Sequence, residues 1–81
     1  MDRFTQLNDI QKKAIALAHL KGYVGAKKYA AGDSGVLFNI INFYNKKLIT
    51  DSGLTPEGLE LATSNGITDD QGNIIDSELN L

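Results

Sequence analysis

Two carboxamides and an ammonium recur at helical spacing in the middle of this chain. Asn39, Asn42 and Lys46 lie three and four residues apart. At about 100° per residue they form, with Gly35, one stripe roughly 60° wide. A carboxamide can pair in bidentate fashion with adenine, and an ammonium can reach guanine or a phosphate. Two lysine pairs flank the stripe in sequence, Lys27-Lys28 before it and Lys46-Lys47 at its end. Lysines so placed suit phosphate contacts that fix orientation. Ser34, at the start of the same segment, adds a hydroxyl and a backbone amide. The bland account is that every amphipathic helix needs a polar side, and that a lysine at a helix C-terminus is favourable without any ligand.

Charge sharpens the question. All eight basic residues fall in residues 1–48, which hold three acids, for a formal charge of +5. Residues 49–81 hold seven acids and no base, for −7. Such asymmetry suits a basic half that meets a polyanion and an acidic half that does not. The pI of about 5.1 points the other way, because dedicated DNA-binding domains are more often basic.

Other chemistry is poorly supplied. There is no cysteine, which removes disulfides, thiolate metal sites and thiol nucleophiles and suits a reducing, cytoplasmic setting. The single histidine, His19, reads as a partly exposed residue near a helix end and makes a poor metal site alone. Asp69-Asp70-Gln71-Gly72-Asn73 fails the spacing of a calcium loop and reads as a turn. No phosphate-binding glycine loop and no Ser-His-Asp order is present. The expectation is a protein that is not an enzyme, with no cofactor and no metal. No apolar run reaches the roughly 18 residues of a membrane span, and no signal peptide is expected.

The elements that must position these residues follow from caps and periodicity. Residues 1–7 read as an irregular lead-in. Asn8 and Gln11 form a capping box that opens a first helix. Ile10, Ala14, Leu17 and Ala18 are its apolar face, and Gly22 stops it near Lys21. A second helix over 24–31 is expected to anchor through Tyr23, Tyr29 and Val24. Asp33 or Ser34 caps a third, roughly Ser34 to Lys47. Val36, Leu37, Ile40, Ile41, Phe43 and Tyr44 are its buried arc, and Phe38 falls at the margin. Leu48-Ile49-Thr50 suits a short strand, 51–53 a tight turn, and Leu54 an antiparallel return. Thr55, Pro56 and Glu57 specify the next helix start, with Leu54 and Leu59 spaced as a hydrophobic staple. Asn65-Gly66 ends that helix. Residues 67–75 suggest a small hairpin, and 76–81 a frayed end.

That order yields a mainly α fold: a small winged-helix-like domain of three helices, a minimal β-hairpin and a further short helix. Residues 1–66 form the domain, and 67–81 an acidic hairpin and tail. Residues 34–62 resemble the second half of winged helix-turn-helix DNA-binding domains. The resemblance rests on a helix running into Lys47-Leu48-Ile49, a turn, then Leu54-Thr55-Pro56-Glu57-Gly58 opening another helix. Here the wing is cut to 51–53, and Lys47 stands where the family usually carries glycine. The resemblance implies that the third helix is the recognition helix, with Asn39, Asn42 and Lys46 at the base edges. Lys27, Lys28, Ser34 and Lys47 would then hold the backbone. The implied partner is double-stranded DNA, bound by a regulator of transcription or of a DNA transaction and reinforced by homodimer formation. The alternative is a phage-type or mobile-element adaptor or inhibitor. It would use the same scaffold to bind a host protein through its acidic half or through exposed aromatics such as Phe38.

Overall fold

The computed structural model describes residues 6–77 and Leu79. The expected lead-in at 1–5, and the expected fraying at 78, 80 and 81, lie outside the described residues. Three helices and one hairpin follow in order: α1 (Asp9–Tyr29), α2 (Ser34–Asn45), β1 (Ile49–Thr50), β2 (Gly53–Leu54) and α3 (Pro56–Ser64).

The capping box opens α1 as the sequence requires. The Gln11 amide donates to Asn8 Oδ1 at 2.8 Å, and the Asn8 amide to Gln11 Oε1 at 2.9 Å. Inside α1, Gly22 leaves the helical region at φ 74°, ψ 176°, so the element is two arms joined by a break. The first and second helices read from the sequence are these two arms. Only glycine enters that conformation without strain. The position also demands it sterically, because a Cβ there would run into the Asp51 carbonyl oxygen.

Ala14, Ile15, Ala16, Leu17 and Ala18 are all buried. Five consecutive buried residues exceed what one helix face can hold, so the first arm is enclosed on several sides. Its alanines let neighbouring backbones approach closely. Val36, Ile40 and Phe43 of α2, Ile49 of β1, Ala62 of α3, and Ile67 complete the core around it.

The second arm packs differently from the sequence expectation. Ala26 and Ala30 are its buried residues, while Tyr29 is 55% exposed and Val24 is also exposed. The two alanines occupy the inner positions, which turns Val24 and Tyr29 outward. Ile10 is exposed as well, and Lys12 and Lys13 are half-buried.

Asp33 caps α2 through its side chain, which accepts from the Val36 amide at 3.2 Å. The hairpin pairs Ile49 with Leu54 and Thr50 with Gly53, antiparallel. Thr55 caps α3 with Pro56 in its first turn. Beyond α3, the chain returns with one bridge, Thr68 to Ile74, and an Ile75 amide bonded to the Ile67 carbonyl at 2.9 Å. The expected hairpin over 67–75 is therefore a single ladder step around a turn. Ile67 and Thr68 are buried, and Leu79 reaches the same core. No helix among the described residues is long and apolar enough to cross a membrane.

Candidate nucleic-acid interface

Burial along α2 defines which way the helix looks. Val36, Ile40 and Phe43 point into the core. Opposite them, at spacings of four, three and four, Ser34, Phe38, Ile41 and Asn45 are exposed. Phe38 is 69% and Ile41 37% exposed. The outward face is thus apolar at its centre and polar at its ends. Ile41 and Tyr44, expected in the buried arc, lie outside it because the arc of apolar residues is wider than the contact α1 offers.

The stripe Asn39-Asn42-Lys46 lies on the flank beside this face. Asn39 and Asn42 are half-buried. The Asn39 amide donates to the Gly35 carbonyl of its own helix at 2.9 Å, and Gly35 itself faces Ile10 of α1. Lys46 is exposed where α2 ends.

The other flank joins the second arm of α1. Tyr23 stacks on Tyr44, with ring centroids 3.8 Å apart and planes 12° from parallel. Lys27 lies over the Tyr23 ring, its Nζ 4.4 Å from the centroid. The pairing of a cation with an aromatic face holds the ammonium beside α2 while leaving it open to an anion. Lys28 is exposed on the same arm, and Lys21 lies over the Tyr29 ring at 4.6 Å. Neither tyrosine–lysine pair carries a sequence signal beyond spacing.

Lys47 follows α2 in the left-handed region, with φ 64°. Its carbonyl accepts from the Thr55 hydroxyl at 2.8 Å, and the Leu48 carbonyl accepts from the Thr55 amide at 3.1 Å. These bonds tie the end of α2 to the start of α3 across the hairpin. Ser34 is exposed next to the Asp33 cap, whose carboxylate is already engaged by Val36. The hairpin turn presents Asp51 and Ser52, with no cation.

Acidic residues gather elsewhere. Asp69 folds its turn around its own carboxylate. The amides of Asn73 and Gln71 donate to Oδ1 at 3.0 and 2.9 Å, and the Asn73 side chain donates to Oδ2 at 3.3 Å. These donors, the Asn73 backbone amide first, hold the Asp69 carboxyl below its ordinary value. His19 joins this turn to α1, with Nε2 2.5 Å from the Gly72 carbonyl oxygen. Among the described residues, no group of three or more His, Asp or Glu side chains could hold a metal ion, and no buried polar side-chain atom lacks a partner. A groove of about 400 Å³ between the starts of α1 and α2 is lined by Asp9, Lys12, Lys13, Asp33 and Asp76, whose opposite charges largely offset one another.

Of the residues singled out from sequence, Lys27 and Lys28 lie on the arm packed against α2, Ser34 on its outward face, and Lys46 and Lys47 at and past its C-terminal end. Asn39 and Asn42 stand on its flank. Phe38 and Ile41 occupy the centre that sequence reasoning gave to the amides. No protein-family model matches the chain, and no curated protein or solved structure is detectably similar to it.

Proposed function

We propose that this chain is a small double-stranded-DNA-binding protein of winged helix-turn-helix type, a cytoplasmic regulator of transcription or of a DNA transaction. One observation carries the reading. The outward face of α2 is uncovered, the helix itself contains no acid, and Lys27, held over the Tyr23 ring that stacks on Tyr44, and Lys47, just past the end of the helix, border it. An exposed helix edged by cations suits the major groove, which admits one α-helix between two phosphate rails. The lysines would neutralise phosphates and set the docking angle. Pairing of two copies on adjacent half-sites would raise the affinity of so small a module.

The test is binding to a random-sequence duplex pool, followed by fluorescence anisotropy at low salt. Affinity should fall steeply as salt rises, and Lys27→Ala with Lys28→Ala should flatten that slope by about one unit each. Absence of duplex binding at about 50 mM salt rejects the reading.

A protein adaptor on the same scaffold is the second reading, and the exposure of Phe38 favours it, because aromatic side chains anchor protein interfaces. It would act on a host protein rather than on DNA.

A further inference from the structure

We infer that α2 reads the 5-methyl groups of thymine through Phe38 and Ile41, so that the site this protein recognises is defined by thymines spaced along one groove. The inference rests on the DNA-binding reading and goes on to name the chemistry recognised. The two side chains are three residues apart on the face opposite Val36, Ile40 and Phe43, and both are open to solvent. The amides that would ordinarily read bases are turned aside. Asn39 is committed to the Gly35 carbonyl, and both Asn39 and Asn42 are half-buried on the flank.

In the major groove the thymine C5-methyl is the apolar feature, and every other base edge offers donors or acceptors. A phenyl ring pressed against a cytosine amino group or a guanine carbonyl would strip its water and return no hydrogen bond. Against a methyl group the same ring buries apolar surface on both sides. Phe38 and Ile41 therefore favour thymine by attraction and disfavour G·C pairs by desolvation.

Charge selects a polyanion over a second copy as the occupant of this face. Lys27 is held over Tyr23, which stacks on Tyr44 of α2, and Lys47 is exposed just past the helix's C-terminal end. Phosphates on both sides of a groove neutralise these cations, whereas a second copy offers this face only Asp33, whose carboxylate already caps α2 through the Val36 amide.

The experiment uses the full chain and the tightest duplex from the random pool, prepared once with thymine and once with deoxyuridine at every thymine. The two duplexes share charge and base pairing and differ only in the methyl groups. The unmodified protein should bind the thymine duplex more tightly by about fourfold for each methyl it covers, from about 0.8 kcal/mol per buried carbon. Phe38→Ala and Ile41→Ala should each narrow the difference, and the double variant should bind both duplexes alike. Both side chains are exposed, so circular dichroism should show the variants folded. Equal affinity of the unmodified protein for the two duplexes overturns the inference and leaves the DNA-binding reading standing. Absence of duplex binding overturns both. In that case, sedimentation showing self-association that Phe38→Ala abolishes would assign the face to a second copy.

Discussion

The hydroxyl of Thr55 donates to the carbonyl of Lys47 at 2.8 Å, and it does so across a lysine whose backbone is left-handed, at φ 64°. The bond fixes the corner where α2 turns into the hairpin, since Thr55 also caps α3 through the Gly58 amide at 3.1 Å. A non-glycine residue in that region costs about 1 kcal/mol or more.

Lys47→Gly should therefore stabilise the protein, by about 0.5–1 kcal/mol after the added freedom of the unfolded chain is deducted. Urea unfolding should show a higher midpoint with an unchanged slope. The same substitution removes a cation from the border of α2, so duplex affinity should fall as stability rises. A lysine kept only by chance at this corner would leave affinity unchanged. Lys47→Gln, which retains the backbone cost and loses the charge, separates the two effects.

Gly58 and Gly35 both sit in first turns of helices, yet they should respond to alanine with opposite signs. Alanine in place of helical glycine ordinarily gains about 1 kcal/mol. At Gly35 the added methyl would rest in ordinary contact, 3.6 Å from Asp33 Oδ1 and 3.8 Å from Ile10. Gly35→Ala should be neutral or stabilising by up to about 1 kcal/mol. At Gly58 the methyl would collide with the Leu48 carbonyl oxygen, which already accepts from the Thr55 amide. Gly58→Ala must push α3 off the hairpin, and a loss of about 1–3 kcal/mol is expected. Equal and favourable shifts in the two midpoints would show that the first turn of α3 does not lie against the Leu48 carbonyl.

The parts of this fold that were legible in the sequence are those decided within a few residues. Asn8 with Gln11, Asp33, and Thr55 with Pro56 each open a helix through side chains no more than three positions from the groups they satisfy. The break at Gly22 was readable for the same reason. The direction in which α2 faces was not. Seven of its twelve residues are apolar, so its pattern permits several inward faces, and packing against the alanine-rich first arm selects the one centred on Val36, Ile40 and Phe43. That choice moves Phe38 and Ile41 to the outward centre and Asn39 and Asn42 to the flank. In the second arm, Ala26 and Ala30 take the inner positions that Tyr29 and Val24 were expected to fill. The link from His19 to Gly72 spans 53 residues and follows no periodicity, so local patterning held no sign of it.

Asp69 makes the turn that carries Gly72 back to His19, and its titration should be visible in stability. The Asn73 backbone amide, followed by that of Gln71 and the Asn73 side chain, favours the charged carboxylate and holds its pKa below the ordinary 3.8. A group whose folded pKa is depressed contributes stability that is fully present above its unfolded pKa and is lost as pH falls through the folded value. The difference in unfolding free energy between the unmodified protein and Asp69→Asn should accordingly be largest near neutral pH. It should shrink progressively below about pH 4, where the unfolded carboxyl begins to protonate. Urea unfolding of both proteins at a series of pH values measures the difference directly. A gap that stays constant from neutral to strongly acidic pH would mean that the amides of Gln71 and Asn73 gain nothing from the negative charge, and that the turn is held by shape alone.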